Sequence, residues 1–290
     1  MIGPTVDMIW VGRLGSTAIA AVGVAGMATM LVQSGLMGLF MGLRAMVARF
    51  IGAKDEKQAV YVSQQAIIIG AISSLVLAVV GIFFAEEILD LVGIAPDVVD
   101  EGAMYLRIMF VGMFSMSFRF MTDSIMQSSG DTMTPLKIAV WFRVVHVVLS
   151  PVLIFGLWIF PKMGVNGAAL ANLITQTLGT CLGLWYLFTG RSRLKLTLKG
   201  IRLDFRMIWR IVKIGLPASV MGMQQNLGQF FLMKIIAPFG TLAVAAHTLN
   251  QRVEMILFNY TKVVSKLFPK VKPKGLLTIT LSFMVLLTTF

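Results

Sequence analysis

Long apolar runs, separated by short connections that carry the charge, are the feature that most constrains this 290-residue chain. One run extends from Thr17 to Leu43, and others follow at about 58–85, 103–127, 137–160, 164–189, 208–237 and 239–260. A short run at about 1–12 precedes them and another, 275–290, closes the chain. A helix needs roughly 20 mainly apolar residues to cross the hydrocarbon core of a bilayer. Such runs cannot all be buried in a water-soluble core. The chain is 57% hydrophobic and 13% charged, against a charged share of about 25% in soluble domains. The surplus apolar surface therefore faces lipid. No run alternates as a membrane strand would, and lipid forces each backbone group to find a partner within its own segment. The expectation is an all-α membrane protein, a polytopic bundle of about seven complete helices with a partial one at each end.

The connections alternate in charge. Arg44, Arg49, Lys54 and Lys57 follow the second run, Lys137 the fourth, and Lys262, Lys266, Lys270, Lys272 and Lys274 the eighth. The sixth is followed by Arg191, Arg193, Lys195, Lys199, Arg202, Arg206, Arg210 and Lys213. The other connections are poor in base: Arg13 in the first, Lys162 in the fifth, and Glu86, Glu87, Asp90, Asp97, Asp100 and Glu101 against Arg107 in the third. Cytoplasmic loops carry the excess of Lys and Arg, so even-numbered runs are expected to end in the cytoplasm. The net charge of +12 thus belongs to membrane topology, and no nucleic-acid partner is expected. Cys181, the one cysteine, excludes an internal disulfide framework and is expected to pack within its apolar run. The N-terminus lacks a basic leader and a small-residue cleavage site, so the first membrane segment is expected to act as the insertion signal.

A weak internal repeat adds organisation. Gly15 to Ala21 (GSTAIAA) and Gly240 to Ala246 (GTLAVAA) are offset by 225 residues. Six runs separate the copies, an even number, so both copies point the same way across the membrane. That arrangement predicts two parallel lobes related by an axis along the membrane normal.

A series of short phrases resembles the MATE (multidrug and toxic compound extrusion) family. Val6 to Gly15 (VDMIWVGRLG) with Ala18 to Gly23 (AIAAVG) is similar to its first helix and outer loop. Arg49 to Ala53 (RFIGA), Gln127 to Pro135 (QSSGDTMTP), Pro151 to Gly156 (PVLIFG), Gly164 to Ala169 (GVNGAA) and Gly215-Leu216-Pro217 follow in the family's order. The resemblance covers about residues 1–257 and implies twelve helices in two six-helix lobes. Against that pattern the chain begins inside helix one, stops early in the second lobe and diverges from about Phe258, as a fragment truncated at both ends would. The expected division is a first lobe over 1–190, a basic cytoplasmic linker over 191–207 and a partial second lobe over 208–290.

Several polar residues lie within the runs and are candidates for transport. A carboxylate at membrane depth is costly unless paired or hydrated, which makes Asp7 a functional candidate. The resemblance implies a role for it in proton or cation coupling; hydration near a frayed chain start is the plainer alternative. Arg143, His146 and Ser150 share one face of the fifth helix at i, i+3 and i+7. The family often has Asn at the position of His146 and Asp at that of Ser150, so a cation site built from two acids is in doubt here. His146 either titrates beside Ser150 or packs as a neutral residue. Arg143 either pairs with Asp7 or extends toward the cytoplasm. Asn172 and Gln176, and Gln225 and Gln229, form i, i+4 polar pairs that either line a hydrated cleft or bond between helices. Asp123, four residues after Arg119, reads as a local ion pair, and the 21 Met suit either an adaptable apolar wall or ordinary packing.

No phosphate-binding loop is present, so ATP-driven export is not expected. His146 and His247 have no neighbouring Cys, so neither an enzyme nor a metal centre is expected. The function expected is an ion-coupled antiporter in the cytoplasmic membrane, using H+ or Na+ and no other cofactor. It exports amphipathic or cationic small molecules by alternating access, as a monomer in the lipid bilayer. A lipid-linked oligosaccharide flippase of the same superfamily is the nearest alternative, and Arg143 standing almost alone in the cavity argues against it. A membrane fragment without transport activity is the third reading.

Overall fold

A computed structural model describes residues 2–157, 160–197, 202–251, 253 and 254, apart from the side chains of 2–6 and 225. The final apolar run, 275–290, Lys199 and the divergent segment after Phe258 lie outside the described residues. The described chain is helical throughout, with no strand. The helices are α1 (Ile2–Val11), α2 (Ser16–Gly52), α3 (Glu56–Asp90), α4 (Pro96–Ser128), α5 (Met133–Phe155), α6 (Gly164–Thr189) and α7 (Phe205–Ile236). A 3-10 turn, Ala237–Phe239, leads into a further helical stretch, α8, over 241–251.

By length and composition alone, 3 of the described helices can cross a membrane: α2, α3 and α5. The sequence reading expected the same of α4, α6 and α7. Those three are as long but carry polar residues within the span, including Arg119 and Asp123 in α4 and Asn172 and Gln176 in α6. Polar groups at membrane depth are tolerated where they face other helices, which is what the bonds described below show. Helix limits follow local chemistry. α5 stops at Phe155, short of the expected 160, because Gly156 takes a left-handed conformation (φ 69°) that costs glycine little. Asp55 caps α3 by accepting from the Gln58 N–H at 3.1 Å.

The core forms two apolar layers, one toward each end of the bundle. Val11, Ala20, Leu89, Leu106, Phe110 and Ile154 centre the first, beside the acidic α3–α4 connection. Leu43, Val62, Met126, Leu187, Leu194 and Leu196 centre the second, at the basic end. Leu194 and Leu196 belong to the segment read from sequence as a basic linker. They are fully buried there, so this part of the linker is packed structure. Polar groups of α3 fix it further. Gln64 Nε2 donates to the Thr197 carbonyl at 2.6 Å, and Gln65 Nε2 donates to that of Arg202 at 2.8 Å. Gln65 Oε1 accepts from the Asp204 N–H, and the Tyr61 hydroxyl donates to Asp204 Oδ2 at 3.0 Å. Asp204 then caps α7 by accepting from the Arg206 and Met207 N–H groups. Its carboxyl is held below the usual carboxylate range, first by the Met207 N–H and then by the Tyr61 hydroxyl.

α7 packs along α2 with almost no space between the backbones. A Cβ on Gly38 would collide with the Ser219 backbone, and one on Gly42 with the Ile211 carbonyl. Ser219 Oγ donates to the Gly35 carbonyl at 2.8 Å. Small residues let membrane helices approach this closely, and dispersion between their surfaces holds them.

The repeat seen in sequence is also a repeat in structure. Gly15 (φ 125°, ψ 177°) and Gly240 (φ 95°, ψ 170°) adopt a conformation open essentially to glycine alone, each directly before a helix. Each accepts at 3.2 Å from the residue four positions on, Ile19 and Val244. Gly23 and the residue 225 positions later, Thr248, touch one another. Contact between equivalent positions is the mark of a rotation axis passing between them. The architecture is one six-helix lobe, α1–α6, with the start of a second parallel lobe in α7 and α8.

Gly38→Ala is expected to lower stability by about 1–3 kcal/mol through overpacking at the α2–α7 seam. Gly52→Ala, where an added Cβ meets nothing within 4 Å, serves as the control. Thermal unfolding of both variants in detergent checks this, and equal midpoints would refute the seam.

Candidate functional site

The buried face of α5 repeats every four residues: Ile138, Phe142, His146, Ser150 and Ile154. α1 lies against this helix. Trp10 meets Phe155 edge-on, with ring centroids 6.0 Å apart, and Arg13 sits over the Trp10 ring at 4.9 Å. That packing lowers Asp7, which is buried, onto the polar part of the α5 stripe. Ser150 Oγ donates to Asp7 Oδ1 at 2.6 Å. His146 Nε2 stands 3.5 Å from Asp7 Oδ2, and neither imidazole nitrogen has a hydrogen-bond partner among the described residues. Arg143, half-buried one turn away, rests over the Phe142 ring at 5.2 Å and is within electrostatic reach of Asp7.

The structure thus brings together Asp7, His146 and Ser150, which the sequence could place on two helices but not in contact, with Arg143 nearby on α5. Asp7 is held in a buried polar site. The short hydroxyl bond fixes one carboxylate oxygen and leaves the other facing the imidazole. A carboxylate and an imidazole at that spacing can share a proton with little movement of either side chain.

A second polar group lies between α2, α4 and α6. Asn172 and Gln176 line a small cleft there with Gln33, Met109, Gly112 and Met116. Gln33 was missed from sequence, although a lone amide inside the apolar run from Thr17 to Leu43 was its available signal. Gln229, expected in the same cavity, does not line this cleft; it is exposed on α7 and accepts from Gln251 Nε2. The Gln225 side chain lies outside the described residues. Cys181 does not pack as expected but is exposed on α6.

Several other intramembrane polar groups bond from helix to helix. Arg119 is buried, pairs with Asp123 at 3.2 Å, donates to the carbonyls of Gly179 and Pro135, and lies over the Phe142 ring at 5.0 Å. One guanidinium therefore ties α4 to α5 and α6. Ser115 and Thr177 share a 2.7 Å bond, and Thr180 donates to the Ser115 carbonyl at 2.6 Å, joining α4 to α6 again.

Residues 1–152 match the MatE family. Over 251 residues the chain is 31% identical to a "Probable multidrug resistance protein YoeA" of Bacillus subtilis (strain 168), covering 85% of this chain and 54% of that protein. It is 26% identical over 252 residues to a protein of Shewanella oneidensis named "FAD transporter", covering 87% of this chain and 56% of the other. Among solved structures it resembles the inward-facing conformation of a multidrug resistance MATE family transporter, with a TM-score of 0.82 and 26% identity. That likeness covers 88% of this chain and 58% of the other. The chain spans about half the length of the curated relatives it matches.

Ser150→Ala is expected to cost about 1–3 kcal/mol, because it takes a donor from a buried carboxylate. In an Asp7→Leu background the same change should cost less than about 0.5 kcal/mol, since there is no carboxylate left to serve. Thermal unfolding of the four proteins closes the cycle. Equal costs in both backgrounds would separate Ser150 from Asp7.

Proposed function

This chain belongs to the MATE family, and from that premise we propose that it takes part in proton-coupled export of amphipathic or cationic small molecules across the cytoplasmic membrane. The carrying observation is the buried Asp7, bonded by Ser150 at 2.6 Å and faced by His146 at 3.5 Å. Relatives named as multidrug resistance and multidrug export proteins support export as the direction of transport. Because the chain is about half the length of those relatives, transport by these 290 residues is itself part of the proposal.

A hydroxyl and an imidazole stand beside Asp7 on α5. A carboxylate beside an imidazole suits a proton, which needs only one acceptor at a time.

Alternating access requires the two lobes to rearrange about the axis between α2 and the second lobe while each lobe keeps its internal packing. Arg119 and the Ser115–Thr177–Thr180 bonds support the first lobe as a single body.

In proteoliposomes of the full chain, an imposed pH gradient should drive transport of a fluorescent cation, and a sodium gradient should not. Asp7→Asn, nearly isosteric but unable to ionise, should reduce transport to the level of empty vesicles. Transport that survives Asp7→Asn unchanged would remove Asp7 from coupling, and none by the parent chain would show that this length does not suffice.

A further inference from the structure

The start of α7 carries a feature that transport does not use. Met207, Ile211, Gly215 and Ser219, spaced by four, are buried against the bundle. The opposite side presents Arg206, Trp209, Arg210 and Lys213, all exposed. Their spacing of i, i+3, i+4 and i+7 places them on one helical face. Phe205, 73% exposed, lies beside them.

The charge on this face is only partly compensated, Arg206 standing within electrostatic reach of Asp204 and the rest having no acid on its own helix. α7 contains no Asp or Glu from Phe205 to Ile236. The acid just before it, Asp204, has its carboxylate engaged by the Arg206 and Met207 N–H groups and by the Tyr61 hydroxyl. The α2–α3 turn at the same end of the bundle is different. There Asp55 and Glu56 stand between Lys54 and Lys57, with Arg49 before them, so two of the three basic charges are matched.

Position decides the partner. Directly along the helix from these cations, Ile214, Leu216, Val220 and Met221 are exposed and apolar, as a lipid-facing surface requires. The cations and Trp209 therefore stand at the end of that apolar stretch nearest the basic end of the bundle. Tryptophan prefers the boundary between membrane and water, and basic residues there attract anionic lipids. The preceding helix repeats the pairing at its own basic end, where Arg191 lies 4.4 Å over the exposed Trp185 ring. A soluble acidic partner would match the charge but not the Trp209 ring or the apolar surface that continues from it.

We infer that the Arg206–Trp209–Arg210–Lys213 face of α7 is a binding surface for anionic phospholipid headgroups. Guanidinium groups offer paired donors to phosphate oxygens and the ammonium a compact charge. The clamp of Tyr61 and Gln65 on Asp204 holds the first turn of α7 in register, so the face is presented ready-made. The inference is independent of whether the chain transports anything.

The full chain, reconstituted in phosphatidylcholine bilayers, is titrated with brominated phosphatidylglycerol or, separately, brominated phosphatidylcholine, and tryptophan quenching is read. The part of the signal lost in Trp209→Phe reports this face. It should show about a tenfold preference for phosphatidylglycerol, as expected of a few basic residues near an anionic surface. The combined Arg206→Gln, Arg210→Gln and Lys213→Gln variant should bring the ratio close to one, and Arg206→Lys with Arg210→Lys should keep most of it. Arg49→Gln with Lys54→Gln and Lys57→Gln is the control and should leave the ratio unchanged. No preference in the parent chain overturns the inference. So does an equal loss in the control, which would mean a general surface field. If the triple Gln variant does not fold, the lysine pair and the screening of the preference by added salt still decide the question.

Discussion

The approach of α2 and α7 to backbone contact is the constraint on which the rest of this structure depends. At Gly38 and Gly42 no side chain intervenes, and the Ser219 hydroxyl reaches across to the Gly35 carbonyl. In lipid there is no hydrophobic force to drive helices together, so contact area and occasional hydrogen bonds have to hold them. Glycines increase that area by removing what would keep the helices apart. The seam also lies where the two lobes meet, beside the axis marked by Gly23 and Thr248.

Within the first lobe the chemistry is the opposite. Arg119 bonds to two other helices, Ser115 and Thr180 stitch α4 to α6, and Gln64 and Gln65 fasten the 191–204 segment to α3. Such bonds are directional, and breaking one leaves a buried polar group without a partner. Directional bonds therefore knit the helices of the first lobe, whereas along α7 they are confined to its first turn, held by Tyr61 and Gln65 through Asp204, and to Ser219 on Gly35.

Much of the fold was legible in the sequence because lipid imposes simple rules. Run length gave the helices, and the offset of GSTAIAA from GTLAVAA gave two parallel lobes before any coordinates. Gly15 and Gly240 show why so faint a repeat carried weight: both hold a backbone conformation that other residues avoid. What stayed hidden depends on contacts between distant segments. Basic composition made 191–207 read as linker, yet Leu194 and Leu196 are core residues and α3 supplies the bonds. Asp7, His146 and Ser150 were each singled out, but the bond joining the first to the last spans 143 positions in sequence. Periodicity cannot report such a distance. The contact of Gln229 with Gln251 was hidden for the same reason, since i, i+4 spacing puts it beside Gln225 without saying what the pair faces.

The repeat also sharpens the place of Asp7. Its 225-residue offset carries Met8, buried, onto Met233, also buried, and Gly12 onto Ala237, but it carries Asp7 onto Leu232. The backbone plan is therefore shared between the lobes while the carboxylate is not. A site needed for packing would be expected in both copies, because both make the same fold. A carboxylate buried in one copy only, with a hydroxyl and an imidazole supplied by another helix, is a feature of the first lobe that the shared backbone plan does not require.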